Sequence, residues 1–181
     1  MTALAILAVL AAEPYVPALS MKDQFGNVHD VRGYRGRVLV LVYGDRASKD
    51  ANAALGEAIH IAFHPTAKGM RPADARRAPV KETEGGKKVE VTALPIACTG
   101  KVAVGQAMVS ALVRAGSPSV PVLLDFEDRM RTMFPFSAGV PNVVVLDAEG
   151  RYRYAAAGKP TAEGMAKLLG TIEALRKEAA K

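Results

Sequence analysis

The stretch R37-VLVLVYGDRASKDANAALGE-A58 decides how the rest of the chain is read. Its first half, Val38 to Tyr43, is an unbroken apolar run, as expected of a strand buried on both faces of a parallel sheet. Gly44, Asp45 and Arg46 turn the chain sharply. Ser48, Lys49 and Asp50 then open a helix. A central strand feeding a helix in this way places the helix amino end at the carboxyl edge of the sheet, where open α/β sheets bind ligands. The helix is expected to run from about 47 to 64, with Leu55, Ala58, Ile59 and Ala62 on its core face and Pro65 as its stop.

Before this stretch, residues 17–31 read as a hairpin. LSMKD leads into the turn Gln24-Phe25-Gly26-Asn27 and returns as VHDV. Gly33 and Gly36 punctuate the approach to the central strand. Residues 3–12 (ALAILAVLAA) are apolar, too short to span a bilayer, and fit the hydrophobic region of a secretory signal cleaved near Ala11–Ala12. No basic residue precedes them, and a buried amino-terminal strand or helix is the alternative. The expected organisation is a signal and linker over 1–16, one domain over 17–181, and a periplasmic or secreted product.

After it, residues 65–88 carry Gly69, Pro72, Pro79, Gly85 and Gly86 with Lys68, Arg71, Arg76, Arg77, Lys81, Lys87 and Lys88. They read as a basic loop insertion, with room for a small hairpin. Strands are expected over 89–97, 120–125, 143–146 and 151–156. A helix over 101–115 would bury Val102, Val109, Leu112 and Val113. Gly105 inside it points to close packing on the sheet. A helical turn is expected over 127–134, and Asp147-Ala148-Glu149-Gly150 joins the last two strands as a hairpin. The final helix starts near Pro160–Thr161. Met165, Leu168, Leu169, Ile172 and Leu175 form its stripe, and Arg176, Lys177 and Lys181 suit the negative end of its dipole. The order is that of an α/β fold: a central mixed sheet with an amino-terminal β-hairpin and flanking helices.

Composition excludes several chemistries. The chain has 181 residues, half of them hydrophobic, 23% charged, with a net charge of +6 and one cysteine. That length fits one domain with a substantial core. A single cysteine rules out an internal disulfide and a cysteine-rich metal site. The basic excess is spread out and no helix-turn-helix or zinc-finger pattern accompanies it, so it reads as a soluble surface and nucleic acid is not the expected partner.

Few residues remain for chemistry. Cys98 stands between a strand and Thr99-Gly100-Lys101; a helix amino end there would lower its pKa, whereas burial would make it inert. A phosphate loop fails because Pro95 occupies the position of its first glycine. His60 and His64, four apart with Glu57 beside them, have metal-ligand spacing, yet they face away from the apolar stripe and read as a solvated helix back. His29 has no neighbour in sequence to assist it. Ser48 lies in no G-x-S-x-G elbow. Asp45, Arg46, Ser48 and Lys49 sit at the ligand-binding edge, where Arg46 and free backbone N–H groups suit an anion or a partner's carboxylate. Helix capping by Asp45 or Ser48 is the plainer account.

The element order resembles the thioredoxin fold as elaborated in peroxiredoxins and TlpA-type reductases. Lys22-Asp23-x-x-Gly26, Gly36-Arg37 before an apolar strand, Gly139-Val140-Pro141 before VVVLD, and Asp147-x-x-Gly150 carry this likeness. More narrowly, Gly44, Lys49, Asn52, Ala53, Leu55, Glu57, Ala58 and Ile59, with VVVLD-x-EG, resemble the YtfJ family of small, mostly periplasmic thioredoxin-like proteins without an assigned activity. The likeness covers most of the chain beyond residue 17, and the 65–88 insertion departs from it. It implies a cis Val140–Pro141 bond facing Asp45–Arg46, with Val140 and Pro141 adding backbone groups to a docking surface. The family's redox relatives carry Cys-x-x-Cys at the start of this helix, but the window from Gly44 to Asn52 has no cysteine, and Ser48 and Ala51 stand nearest those places. The expectation is a redox-inactive binding module for a protein or small anionic ligand, without cofactor or integral membrane segment. The alternative is a single-cysteine redox protein using Cys98.

Overall fold

The computed structural model describes residues 17–100 and 105–181. The strands are β1 (Ser20–Asp23), β2 (Val28–Asp30), β3 (Val38–Gly44), β4 (Val91–Cys98), β5 (Leu123–Asp125), β6 (Asn142–Leu146) and β7 (Tyr152–Ala157). The helices are α1 (Lys49–Phe63), α2 (Pro72–Ala75), α3 (Gln106–Gly116), α4 (Arg129–Met133) and α5 (Ala162–Ala179). The seven strands form one sheet in the order β2-β1-β5-β4-β3-β6-β7. β3 and β5 flank β4 in parallel, while β6, β7 and the amino-terminal hairpin are antiparallel.

Alternation along β3 divides the core into two layers. Val38, Val40 and Val42 pack with Leu55, Ile59 and Phe63 of α1 and Leu168, Ile172 and Leu175 of α5. Leu39, Leu41 and Tyr43 face the other way, onto Leu19, Met21, Val31, Met130 and Phe134. This is the period-two pattern of a strand covered on both sides. The amino-terminal hairpin closes as the sequence implies: the Asp23 carboxylate accepts from the N–H groups of Phe25 and Asn27, and Gly26 takes φ 90°.

Several local expectations change. β5 starts later than residue 120 because Gln24, fully buried, intervenes: its amide donates to the carbonyls of Ser117 and Val120 and accepts from the Val122 N–H. These backbone groups are satisfied by a side chain instead of a strand. Gly105 precedes α3 instead of packing inside it, and a Cβ there would meet nothing. Of the expected stripe on α3, Val109 is buried, whereas Leu112 is 64% exposed. Val102 lies outside the described residues, as does the proposed signal over 1–16. The 65–88 insertion holds a 3-10 turn over Pro65–Ala67, then α2, then a tight turn in which Thr83 donates to the Lys87 carbonyl. Arg176 is not a solvated dipole partner at the end of α5: it is fully buried.

Candidate functional site

The amino end of α1 is held by short-range chemistry. A 3-10 turn, Arg46–Ser48, precedes the helix. The Asp45 carboxylate accepts from the Ser48 N–H through one oxygen, at 3.2 Å, and from the Gly139 N–H through the other, at 2.9 Å. One side chain therefore caps the turn and ties it to the loop before β6. Burial pushes the Asp45 carboxyl up, but the N–H groups of Gly139, Ser48 and Ala47 outweigh it and hold the carboxyl below its ordinary range. Ser48 is buried, and its hydroxyl donates to the Asp45 carbonyl at 2.9 Å. Arg46 and Lys49 remain exposed.

Asn52 and Asn142 complete the frame, and the sequence reading assigned neither of them this role. Asn52 is buried one turn into α1 and donates to the Ser48 hydroxyl at 3.2 Å. Asn142, fully buried at the start of β6, donates to the carbonyls of Val140 and Ser137 and accepts from the Ser137 N–H at 2.7 Å. A polar amide opening an otherwise apolar strand was the available signal, because a buried amide must be paired.

The Val140–Pro141 bond is trans, as are all peptide bonds among the described residues. This corrects the cis expectation. Chain reversal is achieved at Gly139, at φ 73°, with its N–H held by Asp45 and the following carbonyl by Asn142. Pro141 is buried, and its carbonyl accepts from the Gly158 N–H. With the Val140 and Pro141 carbonyls both engaged, the basis for a docking strand at these two residues is lost. Asp45 acts as a cap, whereas Ser48, at the N-cap position of α1, makes no side-chain capping bond because its hydroxyl is donated to the Asp45 carbonyl.

Cys98 ends β4, paired with Asp125 of β5, in the apolar layer that holds Tyr43 and Met130. Burial pushes its thiol up to about 12, with the Asp125 carboxylate adding to the shift. Burial of this kind disfavours the charged thiolate, the form in which cysteine is nucleophilic.

His60 and His64 do stack, with ring centroids 4.2 Å apart, but not on a solvated surface. His64 is buried, its Nδ1 facing the His60 carbonyl at 3.1 Å and its Nε2 facing Glu90 at 2.6 Å. His60 donates through Nε2 to the Ala75 carbonyl at 3.0 Å; burial above all lowers its pKa. Three of the four ring nitrogens are thus engaged: His60 Nε2 joins α1 to the insertion, His64 Nε2 joins it to the residue before β4, and His64 Nδ1 faces back onto the last turn of α1. Glu57 is not part of this group. His29 bridges Tyr34 and Asp23, at 2.8 and 2.9 Å, and braces the amino-terminal hairpin.

No family model and no curated protein matches the chain. Solved structures do. The exposed lipoprotein thioredoxin Etrx1 of Streptococcus pneumoniae superposes with a TM-score of 0.54 at 16% identity, over 84% of this chain and 98% of its own. Peroxiredoxin Q of Xanthomonas campestris gives 0.56 at 14% identity, over 92% and 98%. A secreted thiol-disulfide isomerase of Corynebacterium glutamicum gives 0.53 at 12% identity, over 90% and 85%. The fold is thioredoxin-like.

Proposed function

We propose that this protein is an exported, thioredoxin-like binding module that carries out no dithiol–disulfide exchange. The observation that carries the reading is the placement of its one thiol: Cys98 is buried in the apolar layer, while Ser48 opens α1 where redox relatives present cysteine. Exchange through a mixed disulfide needs an attacking thiolate and a second thiol to resolve it. The chain has one cysteine. What the amino end of α1 offers is two exposed cations, Arg46 and Lys49, on a turn made rigid by Asp45 and Ser48. That suits a carboxylate on a partner protein or a small anion. The narrower likeness to the YtfJ family, itself without an assigned activity, is in keeping with this reading.

Export is supported by the apolar run at 3–12 and by relatives described as an exposed lipoprotein and a secreted isomerase. The protein isolated from its native host is expected to begin near Glu13, as mass analysis of the mature chain will read. An intact Met1 on the cytosolic form would remove export from the proposal.

The redox half is tested by insulin reduction with dithiothreitol as donor. The expected rate equals that of a Cys98→Ser control. Turnover clearly above the control would replace the binding module with a single-cysteine enzyme.

A further inference from the structure

The insertion between α1 and β4 is not a loose loop. His60 holds the Ala75 carbonyl, and Arg76 donates to the Ser119 carbonyl at 3.1 Å, so α2 is docked against both α1 and the segment before β5. On the outside of this docked unit, Lys68, Arg71, Arg76 and Arg77 are all exposed. Arg37, from the approach to β3, lies with its guanidinium 5.7 Å from the Tyr34 ring centroid. The acid within 68–77 is Asp74, and it accepts from Arg71 at 2.8 Å, which offsets one positive charge and leaves Lys68, Arg76 and Arg77 in excess. Among the described residues, no ion pair engages Lys68, Arg37, Arg76 or Arg77.

Met70 stands within this charge. Gly69 takes φ 78°, and Met70, which follows it and precedes Arg71, is 47% exposed. A lone exposed apolar side chain needs no explanation. One flanked by cations on a braced surface has the composition of an interfacial contact: the apolar side chain enters the headgroup boundary and the basic ones meet anionic lipid. Single-stranded nucleic acid is the other polyanion to weigh, but its binding surfaces stack bases on exposed aromatic rings. Here Tyr34 is partly buried, with its hydroxyl against His29 and Arg37 over its ring.

We propose that the face formed by Lys68, Met70, Arg71, Arg76 and Arg77 is a peripheral membrane-docking surface for anionic lipid headgroups. It lies on the insertion and is independent of the binding reading at α1.

The test is co-sedimentation of the full chain with vesicles of phosphatidylcholine alone and of phosphatidylcholine with phosphatidylglycerol. The apolar run at 3–12 would act on both alike, so the readout is the difference between them. Binding is expected to favour the anionic vesicles and to fall away between 0.05 and about 0.5 M salt as the charges are screened. Lys68→Gln with Arg77→Gln should weaken that preference by about twenty-five-fold, each cation near such a surface contributing about fivefold. Met70→Ser should weaken vesicle binding while leaving binding to a single-stranded oligonucleotide unchanged. Unaltered circular dichroism of the variants keeps the comparison valid, since all three side chains are exposed. Equal binding to both vesicle types, or a preference indifferent to the double substitution, would overturn the proposal. Tighter capture of the oligonucleotide than of the vesicles, with Met70→Ser without effect on either, would overturn it in favour of a nucleic-acid surface.

Discussion

At the scale of single residues, Asp45 does the most with the least. It caps the turn into α1 and holds Gly139 across the gap to the β6 loop. Its carboxyl is held below the ordinary value of 3.8, so the charged form is the one the fold favours. The stabilisation is therefore complete above pH 3.8 and is lost as pH falls through the lower, folded-state value. Asp45→Asn keeps the size of the side chain but removes the charge and replaces one of the two acceptor oxygens with an NH2 donor, so either the Ser48 or the Gly139 N–H loses its acceptor. It is expected to cost about 1 kcal/mol at pH 7, from the lost charge at the helix end and the lost hydrogen bond. Denaturant unfolding at pH 7 and again near pH 3 checks this, because the gap between the two proteins should narrow in acid. A gap independent of pH would mean that Asp45 acts through its hydrogen bonds and not through its charge. Cys98 is the opposite case: burial in an apolar layer pushes its thiol pKa up to about 12. Sequence spacing placed it beside a helix start, but only packing reveals that the thiol turns into the layer with Tyr43.

At the scale of elements, Gly44 shows why the β3–α1 junction admits so few residues. Its φ is not positive, so conformation is not the constraint. Space is: a Cβ at this position would lie 2.1 Å from the Ser48 hydroxyl and 2.6 Å from the Asn52 amide. Gly44→Ala should lower stability by about 1–3 kcal/mol, the range for overpacking a close-packed site. Ser48→Ala removes the nearer atom, leaving the Ser48 Cβ position at 3.2 Å, so the double variant should recover part of the loss. A double-mutant cycle on urea midpoints measures this coupling, and strict additivity would contradict the steric account. This junction, β3, α1 and the closing hairpin were legible in sequence because local signals agree there: an apolar run, a turn, capping side chains and a periodic stripe. The α3 region was not. Its apolar residues have helical spacing, but the site of contact with the sheet is narrow, and Leu112 stays in solvent. Spacing tells which residues share a face; it does not tell how much of that face is covered. The late start of β5 was equally hidden, since the competing partner, Gln24, lies over ninety residues away. The trans Val140–Pro141 bond had the same cause: the reversal depends on Asp45 and Asn142, and neither contact follows from the Gly-Val-Pro triplet.

At the scale of the whole molecule, the question is how a chain with an insertion between α1 and β4 keeps a closed two-layer core. Arg176 answers it. Fully buried on α5, it donates through Nε to the Val89 carbonyl at 2.9 Å, through one terminal nitrogen to the Lys81 carbonyl, and through the other to Glu173 at 2.7 Å. Its guanidinium lies 5.3 Å from the Phe63 ring centroid. Lys81 and Val89 bracket the returning part of the insertion, and Phe63 ends α1, so one planar fork joins the exit from α1, the return to β4 and the last helix. His64 and Glu90 close the same neck from the other side. A guanidinium suits this place because its donors diverge in a fixed plane toward separate acceptors, which an ammonium cannot match. Arg176→Met should therefore destabilise the fold by about 3 kcal/mol. It leaves the buried Val89 carbonyl and the part-buried Lys81 carbonyl without this donor, and a buried loss of this kind costs about 1–3 kcal/mol, partly offset by the apolar side chain gained. Arg176→Lys should recover only part of that. Glu173→Gln, at the half-exposed edge of the pair, should cost less than either. Thermal unfolding of the three variants gives the ranking, and hydrogen exchange gives its location: opening should appear first in residues 81–89, where the fork holds the chain, while the β3–β6 pairing stays protected. Uniform loss of protection across the sheet would assign Arg176 to general core packing and not to the neck of the insertion.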